Sequence, residues 1–348
     1  MPPPGIPPLK RKNDASMDFK RLDNILEGEK PYRLRQIHRA IFKDLCTDWD
    51  DATDLSLKLR GILKEEFPLS IDARIIRSRQ SDTAKAVIKV SGDILIETVL
   101  MQHSTGRNTV CVSSQAGCAL DCLFCQTGRL GFRRNLDLSE IIMQVLFFQR
   151  FLKEKGSSIS NIVFMGMGEP FLNYDNVLEA VRAINDPGGF NIGARHISIS
   201  TAGLPEKIKL FAGEGIQVNL AVSLNAPNDE LRSSIMPVNL HYKISELLES
   251  VNYYIERTNR KVMLEYVLIG GLNDSDENAR ELADLLRGLL CVVNLIPYNG
   301  GPPLKPPPKS RVDVFKKILE KNALNVTLRS RFGTDIDSAC GQLVFGEF

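Results

Sequence analysis

Between residues 108 and 298 the chain alternates six short, nearly continuous apolar runs with five longer amphipathic stretches. The apolar runs fall at 109–112, 161–165, 196–200, 218–224, 262–269 and 292–296. Helical periodicity marks 139–154, 175–184, 205–213, 243–256 and 275–289. Strands that are apolar on both faces belong in a parallel sheet covered by helices, and a strand–helix–strand repeat builds one. The expected fold is therefore α/β, either an open doubly wound sheet or a barrel, since periodicity alone admits both.

The flanks differ from this core. Residues 1–17 are rich in Pro, Lys and Arg without an apolar segment, which predicts a disordered tail rather than a secretory signal. Residues 18–70 read as a small helical accessory domain, with Ile37, Ile41 and Leu45 at four-residue steps. Arg33, Arg35, Arg39 and Lys43 give it a basic side, either a solvated helix face or a surface for RNA. Residues 71–107 alternate like strands around a Ser91-Gly92-Asp93 turn and predict a β-hairpin linker. Residues 299–348 form a C-terminal extension: a Pro-rich loop, a helix at 310–322, a strand at 324–329 and a short tail. The formal net charge of the 348 residues is +2, so any nucleic-acid surface must be a local patch. No run of 18 apolar residues is present, which predicts no membrane span and the cytoplasm as the default compartment. Nothing demands more than a monomer.

Seven cysteines, an odd number in a long chain without a signal peptide, argue against a disulfide scaffold. Cys118, Cys122 and Cys125 follow the first core strand at C-x3-C-x2-C spacing. Thiolates on one loop are the ligands that Fe–S clusters and zinc select. The same spacing also describes one helix face, but that reading needs three cysteines where Leu or Val would serve. A structural zinc site needs a fourth protein ligand, for which Cys111 is the available candidate. A 4Fe–4S cluster on three thiolates leaves one iron open to a small molecule. One βα unit later an apolar strand runs into Gly166-Met167-Gly168-Glu169-Pro170. There glycines admit a ligand to the backbone, and Glu169 offers an acceptor to an ammonium group. Cys46 and Cys291 lie in apolar contexts that suit core packing.

The triad, with an aromatic before its last Cys and a GMGEP turn after it, resembles the radical S-adenosylmethionine (SAM) superfamily. TVCVSSQAGCALDCLFCQTG, VFMGMGEP, ISISTAGLP, AVSLNAPNDELR, VNLIPYN and DIDSACGQL, spread in order from Glu97 to Leu343, resemble the RlmN family of RNA adenine-C2 methyltransferases. That resemblance implies a partial (β/α)6 barrel. It implies a 4Fe–4S cluster on Cys118, Cys122 and Cys125. It implies SAM contacts from Gly168, Glu169, Ser200, the Ser223-Leu224-Asn225 segment and Asn299. The family's usual residue where Asn225 stands is His, so a backbone contact is what carries over there. Cys340 would carry the transferred methyl group, Cys111 would be its partner thiol, and Glu97 would act as a base.

The chemistry implied follows from the substrate. C2 of adenine is electron-poor and cannot attack SAM. The resemblance implies that Cys340 takes a methyl group from one SAM by displacement, and that a second SAM is cleaved to a 5′-deoxyadenosyl radical. The radical would remove hydrogen from the S-methyl group, and the resulting carbon radical would add to C2. Loss of the C2 proton to a base and attack of Cys111 on the Cys340 sulfur would release product and leave a disulfide. The family acts on adenosine 2503 of 23S rRNA and, in some members, adenosine 37 of tRNAs, with electrons from a flavodoxin- or ferredoxin-type donor. The related Cfr type methylates the same rRNA adenosine at C8; Pro170 and the APND after Leu224-Asn225 favour the C2 type. A non-enzymatic zinc or Fe–S module docking on RNA would not need Cys340, and a radical SAM enzyme for another substrate would not need both Cys111 and Cys340. Arg129, Arg133, Arg134, Arg329 and Arg331 are candidate phosphate contacts or ion-paired surface groups.

Overall fold

The computed structural model describes residues 17–301, 303–329 and 332–344. The expected disordered tail, apart from Met17, and Arg331 lie outside them. Three helices open the described chain: α1 (Phe19–Ile25), α2 (Pro31–Phe42) and α3 (Leu57–Glu66). Strands β1 (Ala73–Arg77), β2 (Thr83–Val90), β3 (Ile94–Gln102), β4 (Asn108–Cys111) and β5 (Gln115–Gly117) follow, then a one-turn α4 (Gln126–Arg129) and β6 (Phe132–Asn135). The repeat continues with α5 (Leu138–Lys153), β7 (Asn161–Phe164), α6 (Tyr174–Asn185), β8 (Ile197–Thr201), α7 (Pro205–Ala212), β9 (Asn219–Ser223), α8 (Asp229–Ile235) and α9 (Ile244–Thr258). It closes with β10 (Val262–Leu268), α10 (Asp276–Leu285), β11 (Cys291–Pro297), α11 (Lys309–Lys321) and β12 (Val326–Leu328).

One ten-stranded sheet runs in the order β1-β2-β3-β4-β7-β8-β9-β10-β11-β12, and β5 pairs with β6 separately. From β4 to β12 every pairing is parallel. The six expected core strands are β4 and β7–β11, in sequence order, and among the described residues the sheet stays open rather than closing on itself. The expected hairpin linker is instead three antiparallel strands continuous with this sheet, because β3 pairs with β4 from Val99↔Cys111 to Gln102↔Asn108. Edge strands of an open sheet need cover or pairing, and this meander supplies pairing on the β4 side.

Local chemistry sets the element starts. Asp137 and Glu140 form a reciprocal capping box at α5, and Ser275 with Asn278 does the same at α10. The short α8, which apolar periodicity did not reveal, starts on an Asn228 cap. Ile162, Phe164, Ile197, Ile199, Leu220, Val222, Leu264 and Leu295 are fully buried under the helices. The N-terminal helices share that core: Ile37, Trp49, Leu63 and Phe67 belong to the same contiguous apolar cluster. Phe42 packs edge-on against Phe190 at 5.1 Å, and the Phe19 amide donates to Ser139 Oγ. The half-buried Arg150 of α5 donates to the carbonyls of Leu69 and Cys46. Cys46 and Cys291 are core residues, as their apolar contexts predict. Among the described residues no helix is long and apolar enough to cross a membrane.

Candidate active site

Parallel strands present their carboxyl ends on one side of the sheet, where open α/β folds bind ligands. Here that side holds a cleft of about 1060 Å³ counting its open mouth. Cys118, Cys122 and Cys125 line it, opposite residues from the ends of β7, β8, β9, β10 and β11.

The triad loop is held by backbone contacts. The Cys118 amide donates to Gly131 O at 3.1 Å, the Leu123 amide to Ile235 O at 2.9 Å, and the Cys125 amide to Cys122 O at 2.9 Å. All three thiols are free. Burial pushes the Cys118 thiol up to about 12 and pushes Cys122 up as well, with neighbouring thiols adding to the effect. Such thiols ionise only against a strongly cationic ligand, which fits an iron–sulfur cluster. Among the described residues no three His, Cys, Asp or Glu side chains converge as ligands of a single metal ion.

Across the cleft, Gly168 has φ +98, and a Cβ there would lie 2.4 Å from Gln115 Cβ. Only glycine fits both demands. Next to it, Glu169 is buried: Oε1 accepts from the Phe171 amide at 2.9 Å and Oε2 from the Ala202 amide at 2.7 Å. Burial raises this carboxyl to about 7, against the lowering by those amide donors. Ser200 lines the cleft and donates to Glu265 Oε2 at 2.5 Å. Ser223 and Asn299 also line it, whereas Leu224 and Asn225 do not. Asn225 sits in left-handed conformation at φ +59, accepting from the Val267 amide on Oδ1 and donating to Met236 Sδ. Asn tolerates that backbone better than most residues, and its amide side chain is consumed in tying β9 to β10.

Beside the main cleft lies a second recess. Cys340 and Arg329 line both spaces, and Cys111 lines the second. Cys340 is exposed and Cys111 buried. Burial, with Cys340 beside it, pushes the Cys111 thiol up to about 12, while Arg329 pulls the other way. Glu97 lines neither space; its carboxylate meets Lys85 Nζ at 2.9 Å and the Val344 amide at 3.0 Å. Arg329 is ion-paired rather than free on the surface. Its guanidinium sits in the cleft wall, 3.4 Å from Glu265 and 3.2 Å from Met165 Sδ. Arg134 is occupied by Glu140 at 2.6 Å and by Ser91 O at 2.7 Å, so it braces the α5 capping box. Arg129 is exposed beside the triad.

Two residues were missed from sequence. Glu265 is the one charge in the apolar run of β10, a signal that was available. Arg232 is fully buried, and its guanidinium donates to the carbonyls of Leu224, Ala202 and Ser223 and to Asn239 Oδ1. It knits the ends of β8 and β9 under the cleft.

Parallel strands with a three-cysteine loop and a glycine–glutamate turn at their carboxyl ends define a radical SAM protein. The family described as "Radical SAM superfamily" matches residues 112–283, and "Ribosomal RNA large subunit methyltransferase N-terminal domain" matches 16–69. A "Probable dual-specificity RNA methyltransferase RlmN" of Geobacillus kaustophilus is 43% identical over 97% of this chain and 93% of its own length. One of the same name from Streptococcus mutans is 46% identical over 92% of this chain and 90% of its own. The crystal structure of a radical SAM methyltransferase from Sphaerobacter thermophilus superposes with a TM-score of 0.90 at 44% identity, covering 96% of this chain and 98% of that one. The chain belongs to the RlmN family of radical SAM methyltransferases. Membership of that superfamily implies a 4Fe–4S cluster and the use of SAM.

Proposed function

We propose that the protein methylates C2 of adenosine in 23S rRNA and in tRNA, with Cys340 as methyl carrier and Cys111 as resolving thiol. One observation carries the reading: Cys340, the cleft-lining cysteine of the tail, shares a recess with Cys111 of β4, next to the triad cleft. Cys118, Cys122 and Cys125 would hold the cluster, and Gly168, Glu169, Ser200, Ser223 and Asn299 would bind SAM. The cluster supplies one-electron reducing power for SAM cleavage when bound, fed by a flavodoxin- or ferredoxin-type donor. Cys340 is exposed enough to meet both a methyl donor and a base extruded from folded RNA. Cys111, buried and largely protonated, stays a poor nucleophile until its turn. Attack of its thiolate on Cys340 Sγ would form the S–S bond and break the S–C bond to the base, whose carbon keeps the electron pair and takes up a proton to become the methyl group, leaving the two cysteines oxidised by two electrons. The exposed arginines beside the triad loop suit phosphate contact. We place this activity in the cytoplasm, carried out by a single chain.

Nucleoside mass spectrometry of 23S rRNA and tRNA tests this, in a host lacking C2 methylation that expresses the protein or its Cys340→Ala variant. The expected result is 2-methyladenosine with the former and none with the latter. Appearance of 8-methyladenosine would move the specificity to C8, and product from the variant would remove Cys340 from the mechanism.

A further inference from the structure

The buried pair Lys85–Glu97 lies far from any surface that a salt bridge would merely decorate. The two residues are diagonal neighbours on β2 and β3, with side chains 7% and 1% exposed and N···O 2.9 Å. Burying both charges costs more than a simple pair returns, so the remaining hydrogen-bonding capacity must be used elsewhere. The hydrogen bonds these two side chains make go to one segment, while Glu97 Oε1 meets only the Lys85 ammonium. Lys85 Nζ donates to Asp337 O at 3.3 Å, and Glu97 Oε2 accepts from the Val344 amide at 3.0 Å. Those backbone groups bracket the loop that carries Cys340. Asp337 sits in left-handed conformation at φ +48, which a short unsupported tail would leave.

Among the described residues the same loop meets the cleft wall through Gln342, whose side-chain amide donates to Asn299 O at 3.1 Å, and the triad side through two backbone acceptors. Gly341 O accepts from the Gln126 amide and Leu343 O from Thr127 Oγ1, both at 2.7 Å. Upstream, Asp335 holds Ser78 and the Arg79 amide at the β1–β2 turn. The loop is thus slung between the antiparallel meander and the cluster loop, and Lys85–Glu97 is its buried attachment on the meander side.

We propose that Lys85 and Glu97 form a latch that holds the 337–344 loop over the cleft, making Glu97 a positioning residue rather than a group that touches substrate. The proposal rests on the reading of Cys340 as methyl carrier only for its functional meaning. The latch is read on the protein itself.

Peptide-resolved hydrogen exchange of the cluster-loaded, RNA-free protein tests it with Lys85→Met, Glu97→Gln and Val344→Pro. The last removes the Val344 amide donor and leaves the ion pair intact, while fixing φ at 344 and restricting Leu343, so it is read together with Lys85→Met. A latch predicts exchange across 337–344 faster by about tenfold or more in all three, with protection of β7–β11 unchanged. Mass spectrometry would show less methyl on Cys340 after one exposure to SAM in each. Unchanged exchange in Val344→Pro and Lys85→Met, with Glu97→Gln loading its methyl normally but failing to release product, would overturn the latch and make Glu97 a base. If exchange rises as expected while Cys340→Ala still yields methyladenosine, the latch stands and the carrier assignment fails.

Discussion

At the residue scale, buried charged groups tie together the strand ends around the cleft. Arg232 is the plainest case: desolvation lowers its guanidinium to about 10, and its partners are carbonyl and amide oxygens rather than a carboxylate. Arg232→Met strands those acceptors, and we expect a loss of about 2–4 kcal/mol, read as an earlier urea midpoint. Lys cannot restore it, because one ammonium cannot span four acceptors held by a planar fork. The thiols give a second test. Under anaerobic conditions at pH 8, iodoacetamide should alkylate exposed Cys340 well before Cys111, whose pKa is raised to about 12 by burial. Arg329→Met should slow Cys111 further, since the lost cation favours its thiolate. Peptide mapping of the time course reads both.

At the element scale the site depends on how strands end. Gly168→Ala forces a Cβ into Gln115 and a side chain into positive φ, so we expect SAM affinity, measured by calorimetry on the cluster-loaded protein, to fall at least about tenfold. The α5 cap offers a graded pair. Asp137→Ala removes one capping bond and should cost about 1 kcal/mol. Glu140→Ala should cost more in the same urea titration, because Glu140 also holds Arg134 and the Ser91 amide and so ties the β2–β3 turn to α5. The core strands and the longer helices were legible because their periodicity reflects burial, which is a local composition rule. The one-turn α4 and the seven-residue α8 were not. Their starts depend on a cluster-loop turn and a single Asn cap rather than on an apolar face.

At the scale of the whole molecule the N-terminal helices are part of the core and not a detachable arm. Ile37, Trp49, Leu63 and Phe67 are buried in the cluster that also contains the strand residues, and Phe42 packs edge-on against Phe190. Removing residues 1–69 should therefore yield protein that binds a hydrophobic dye and precipitates, instead of a folded enzyme with weaker RNA binding. Dye fluorescence and sedimentation of the truncated chain check this. The meander serves a related purpose, since it covers the β4 edge and supplies the anchor for the tail.

The sequence by itself determined the alternation of strands and helices, the cysteine triad, the glycine–glutamate turn and the family. Each is written in neighbouring residues, where spacing alone states the chemistry. Tertiary structure decided which of those residues face one space. It set Cys111 of β4 beside Cys340 of the tail, placed Arg329 in the cleft wall as an ion-paired group, and turned Asn225 away from the cleft toward β10. It also joined Glu97 to Lys85 and Val344. These pairings link residues from opposite ends of the chain or different strands of the sheet. No local pattern encodes them, because they exist only once burial has fixed the register of the strands and the path of the tail.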